Sequence, residues 1–170
     1  MRVVSLALAA LAGTAAITAS GRAAEPAGCT AFKWSIDREL AVLRAAPAQR
    51  VASDATVAAN GTAIAIALQP AAQAALPMPP ERAGKGETFA GFVRVAAPAA
   101  GVYRVSLSGG AWIDAIQGEH YLKPTAFSGA TGCDGIRKSV KFTLAASPLL
   151  LQFSGVSTGT ISVVIAPDEP

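Results

Sequence analysis

The chain has 170 residues, 14 of them basic and 11 acidic, with one histidine and two cysteines. So few imidazoles and thiols cannot assemble a typical four-ligand zinc set, and without a clustered basic stripe nucleic-acid binding is not expected. The length and the 52% hydrophobic content suit one domain with a sizeable core.

Met1 and Arg2 supply a minimal positive start, residues 3–19 carry no charge, and Ser20, Gly21, Arg22, Ala23 and Ala24 form a small-residue stretch. This is the pattern of an export signal, residues 1–23, cut after Ala23, with Ala24 nearly as good a site. The apolar run falls short of the roughly 20 residues that span a bilayer, so no transmembrane anchor is expected after cleavage. Pro26, Ala27, Gly28 and Cys29 partly imitate a lipidation site, but Pro26, Arg22 and Glu25 disfavour it. Taking away Arg2 and Arg22 leaves 12 basic against 11 acidic residues, a net of +1, so the basic balance comes largely from the signal. The expected location is the periplasm or the cell exterior. In that oxidising setting Cys29 and Cys133 most simply pair, the alternative being two free thiols.

Beyond the signal, residues 24–50 read as an N-terminal arm with a helix and 51–170 as a β domain. The helix is expected over 31–46, where Ile36, Leu40 and Leu43 recur at helical spacing, Ser35 or Asp37 caps the start and Pro47 follows. Phe32 and Trp34 are expected to pack this segment onto the body. Residues 61–69 alternate, with Ile64, Ile66 and Leu68 on one face. Residues 70–86 hold Pro77, Pro79 and Pro80 and read as a long loop, functional or mobile. A train of strands follows at 87–97, 101–108, 111–117, 136–144, 149–154 and 160–166. In these, Tyr103, Val105 and Leu107 are inward with Arg104 and Ser106 outward. Ile136, Val140, Phe142 and Leu144 likewise oppose Arg137, Ser139, Lys141 and Thr143. Lys138 breaks the inward pattern and marks an edge or strand end. Asp134-Gly135 reads as a turn.

The run 98–107, with Gly101, Val102 and Tyr103 leading an alternating strand, resembles the central strand of bacterial pre-peptidase C-terminal-type domains. The segments 149–153 and 161–165 are similar to the strand pair that closes their jelly-roll-like sandwich. The similarity covers about 87–166. It implies an exported accessory module without catalytic residues.

Candidate chemistry is sparse. A Ser-His-Asp triad would have to use His120, and no serine stands in G-x-S-x-G. A glycosidase needs two facing carboxylates, for which Asp114 and Glu119 are the nearest pair. Trp112, Asp114 and Ile116 share one strand face. Exposed, Trp112 and Asp114 with His120 and Tyr121 form a ligand platform; facing the core, Trp112 is packing.

The expected fold is therefore all-β, an antiparallel jelly-roll-like sandwich of seven to eight strands with a short N-terminal helix. The expected function is a non-catalytic exported binding or accessory module, without cofactor or metal, whose partner is a small molecule, a glycan or an envelope protein. Its working surfaces are the loop 70–86 and the region from Trp112 to Tyr121. The alternatives are a hydrolase using His120 with Asp114 or Glu119, and a structural protein of the cell envelope.

Overall fold

Two β-sheets pack face to face in a computed structural model that describes residues 24–45, 48–82 and 84–168. The segment read as an export signal, 1–23, lies outside the described residues. Seven strands of five or more residues build the sandwich: β3 (Ala63–Ala67), β5 (Phe89–Val95), β6 (Gly101–Leu107), β7 (Trp112–Gln117), β10 (Lys138–Leu144), β11 (Leu149–Val156) and β12 (Thr160–Pro167). Five shorter ones extend the edges: β1 (Gln49–Ala52), β2 (Thr56–Val57), β4 (Gln69–Pro70), β8 (His120–Leu122) and β9 (Ala126–Gly129). The first sheet runs β1-β3-β12-β6-β10-β9. The second runs β2-β5-β11-β7-β8, with β4 also on β5. The seven long strands thus alternate between the two sheets along the chain, as in a jelly roll. Pairing is antiparallel except at the edges, where β1 on β3 and β2 on β5 are parallel.

The core follows from period-two alternation. Ile64 and Ile66 of β3, Tyr103, Val105 and Leu107 of β6, and Val140, Phe142 and Leu144 of β10 meet Val93, Ile113, Leu151 and Phe153 of the other sheet. Residues of β11 and β12 are buried on both faces, because each lies in the middle of its sheet and both outer faces are covered.

The first sheet is covered by the N-terminal arm. Cys29 is bonded to Cys133 in the β9–β10 connection, and Thr131 hydrogen-bonds Pro26 and Gly28 across the same junction. A second apolar cluster of Phe32, Ile36, Ala130, Cys133 and Ile136 results, joined by Leu40 and Leu43. Helix α1 (Asp37–Arg44) is shorter than 31–46. The disulfide and the bond from Lys33 N–H to Ser128 Oγ tie down the preceding residues, in which Cys29–Ala31 form a separate 3-10 turn and the chain from Phe32 to Ile36 is not helical. Ser35 Oγ accepts from Asp37 N–H at 3.4 Å, and the acidic first turn with Arg44 in the last complements the helix dipole.

This cover corrects the outward assignments. Ser106 and Ser139 are fully buried, their hydroxyls 2.9 Å apart between β6 and β10. Lys141 is not on a solvated face: its Nζ lies 2.6 Å from Asp168 Oδ2 and 4.7 Å from the Trp34 ring centre. Arg104 lies between Glu39 and Asp168 and donates to Ser35 O. Ile136 belongs to the arm cluster and not to the sandwich core. Arg137 remains partly exposed, paired with Glu25 at 2.8 Å. The Asp134-Gly135 turn is present, with Gly135 at φ 88°.

Candidate functional site

The loop 70–86 is fastened across the outer face of the second sheet like a strap. Met78 N–H donates to Gln152 Oε1 at 2.9 Å, and Gln152 Nε2 donates back to Met78 O at 3.1 Å. The Tyr121 hydroxyl donates to Pro79 O, and Ser154 Oγ donates to Arg82 O at 3.0 Å. The strap comes closest at Gly84, where an added Cβ would stand 2.9 Å from Gly155 Cα. Gly155, at φ 68°, forms the irregularity of β11 between Phe153 and Val156, so a glycine meets a glycine at a bulge.

Trp112, Asp114, Ile116 and, by register, Tyr121 share this outer face, under the strap. Asp114 is 1% exposed. Its Oδ1 accepts from Trp112 Nε1 at 2.6 Å, while Oδ2 is buried with no hydrogen-bond partner. Burial pushes this carboxyl above its ordinary value, against the lowering effect of the Trp112 hydrogen bond. Asp114 is therefore neither a core residue nor part of an open platform. His120 is exposed and pairs with Gln117, on the opposite face from Asp114, so the strand register separates the two groups that a His120–Asp114 hydrolase would have to bring together. Glu119 stands in the tight turn before His120, at φ 63°.

Of the four expected ligand residues, Trp112 lines a cavity. Its ring lines a cleft of about 720 Å³ at the side of the sandwich where β8 and β9 end the two sheets. Ile113, Leu122, Val140 and Phe142 form its apolar floor, continuous with the core, and Phe127, 61% exposed, stands at the rim. Two cations flank Trp112: the Arg82 guanidinium 4.6 Å and the Lys138 ammonium 5.4 Å from its ring. Lys138 shares the inward parity of Val140 and Phe142, and its Nζ donates to Ala111 O at 3.0 Å. Burial, and the charges of Arg82 and Arg137, hold the ammonium below the usual lysine range. Glu25 and Glu81 also line the cleft.

Sequence reasoning missed Phe127, Arg82 and Lys138 as site residues. The signal for Lys138 was present, as the one charge on an apolar stripe. Nothing in the local pattern placed Phe127 or Arg82 beside Trp112. Among the described residues no group of three or more His, Cys, Asp and Glu side chains is arranged to hold a metal, and no helix is long and apolar enough to cross a membrane. Compared with family models, curated proteins and solved structures, the chain has no match in any of the three.

Proposed function

We propose that this is an exported, non-catalytic binding module that takes a small molecule with an apolar body into the cleft between Trp112 and Phe127. The carrying observation is that the cleft floor is the core itself. Ile113, Val140 and Phe142 are buried core residues of the sandwich and at the same time line the cleft. A concave, mostly apolar site of this volume with a few polar groups is the usual form of a small-molecule pocket. The compartment is supported by the Cys29–Cys133 bond, since such bridges persist in oxidising surroundings, and by the pattern of residues 1–23. The exported-accessory character suggested by the resemblance of 87–166 is part of the same reading.

The test is a thermal-shift panel on the oxidised protein, using sugars, acyl and aryl compounds, nucleotides, metals and cell-wall fragments. Ligand at about 100 times its dissociation constant adds roughly 2.7 kcal/mol. One apolar class should raise Tm in proportion to dose, and Leu122→Trp, which fills the cleft from a half-buried position on its floor, should abolish the rise. A flat panel, or a shift that survives Leu122→Trp, overturns the proposal.

A further inference from the structure

Resting on the reading of this cleft as a ligand site, we propose that its ligand is an amphipathic monocarboxylate. Its acyl or aryl body lies on Ile113, Leu122, Val140 and Phe142, and its carboxylate pairs with Lys138 and Arg82.

The argument starts from an ammonium on an apolar stripe. Alternation along β10 sends Lys138 to the side of Val140 and Phe142, at the mouth of the cleft. An ammonium has three donors. Lys138 gives one to Ala111 O and turns toward the Trp112 face. Among the described residues no carboxylate lies within ion-pair distance of either Lys138 or Arg82, whereas Arg137 is paired with Glu25 and Lys141 with Asp168. The side chains whose charges act on the Lys138 ammonium, Arg82 and Arg137, are both cationic. Lys138 thus has cationic neighbours and no paired carboxylate, in a place where burial already disfavours a cation, although Glu25 and Glu81 also line the cleft. A ligand carboxylate supplies the missing charge and converts a half-desolvated cation into a charge-assisted pair. A cationic head group meets like charges. A neutral one leaves the ammonium uncompensated. The exposed Glu81 at the rim adds a repulsion that a second negative charge on the ligand would feel, which favours one carboxylate over a dianion. The apolar floor accepts the body by ordinary burial.

The experiment is calorimetric titration of the oxidised protein with dodecanoate and 1-naphthylacetate, each beside its neutral alcohol and below the concentration at which it aggregates. At least one carboxylate should bind, and about tenfold or more tighter than its alcohol. Lys138→Gln should bring the carboxylate down to the level of the alcohol, and Lys138→Arg should retain the preference. Equal binding of carboxylate and alcohol overturns the carboxylate head group while leaving the cleft as a binding site. Failure of both carboxylates overturns the ligand class, with the wider panel above still able to uphold the cleft. Carboxylate binding that survives both Lys138→Gln and Leu122→Trp occurs elsewhere and overturns both readings.

Discussion

Gln152 grips Met78 by both of its backbone groups, accepting from the N–H at 2.9 Å and donating to the carbonyl at 3.1 Å. A side chain from the central strand of the second sheet thereby does for the strap what a neighbouring strand would do. Gln152 is fully buried, and replacing it with leucine leaves Met78 N–H and C=O without these partners. Gln152→Leu should cost about 1–3 kcal/mol in urea unfolding. It should also speed tryptic cutting after Arg82 and Lys85 in the native protein. Unchanged proteolysis would show that the remaining strap bonds suffice.

Asp114 makes stability depend on pH in a direction opposite to most carboxylates. Burial raises its folded pKa above the ordinary 3.8, so the native protein keeps a proton that the unfolded chain has released. Stability therefore falls as pH rises from 3.8 through the folded value. Asp114→Asn keeps an acceptor for Trp112 Nε1 and removes this dependence. Its advantage over the parent protein should grow as pH rises above about 4 in paired denaturation curves. A constant difference would contradict the account.

Asp168 works the other way. Burial pushes its carboxyl up, but the hydrogen bonds and charges of Lys141 and Arg104 outweigh this and hold it below 3.8. Its contribution is present above 3.8 and is lost as pH falls through the folded value. Arg104 joins Asp168 to Glu39 and is itself largely buried. Arg104→Met takes the Arg104 partner from the buried Glu39, leaves Asp168 with Lys141 alone, and should cost roughly 3–5 kcal/mol. The loss should shrink at low pH, where Asp168 is protonated. A loss independent of pH would assign the effect to packing against Trp34 instead.

The Cys29–Cys133 bond closes a separation of 104 residues. Replacing both cysteines with serine should lower stability by roughly 2–4 kcal/mol, measured without reductant. The arm should loosen before the sandwich does, seen as faster amide exchange over 27–44 than in β6 or β12. Uniform acceleration across the chain would mean that arm and sandwich unfold as one unit.

The strand positions were legible because alternation is a local signal. Ile64 and Ile66, or Tyr103, Val105 and Leu107, announce a buried face whatever lies opposite. The disulfide followed from the cysteine count and the expected compartment. What covers an outer face is a long-range fact. Ser106, Ser139 and Lys141 look solvent-facing in their own strands, and only the arm, some 65 or more residues distant in sequence for Arg104 and Glu39, buries them. For the same reason Trp112 and Asp114 could be placed on one face but not beneath the strap. The cleft was harder still: its lining comes from the arm, the strap and five strands, and Trp112 and Lys138 alone carried a recognisable sign of it.

The chain order of the sheets bears on how the protein is made. β11 lies between β5 and β7, and β12 between β3 and β6, so the middle strand of one sheet and an inner strand of the other are the last to be synthesised. The covalent ring from Cys29 to Cys133 closes without either of them. A chain emerging N-terminus first can therefore form its disulfide while both sheets are still split down their length. The segment from Leu149 to Asp168 then acts as a double wedge whose arrival joins four flanking strands at once. Neither sheet can be completed before β11 and β12 have been made.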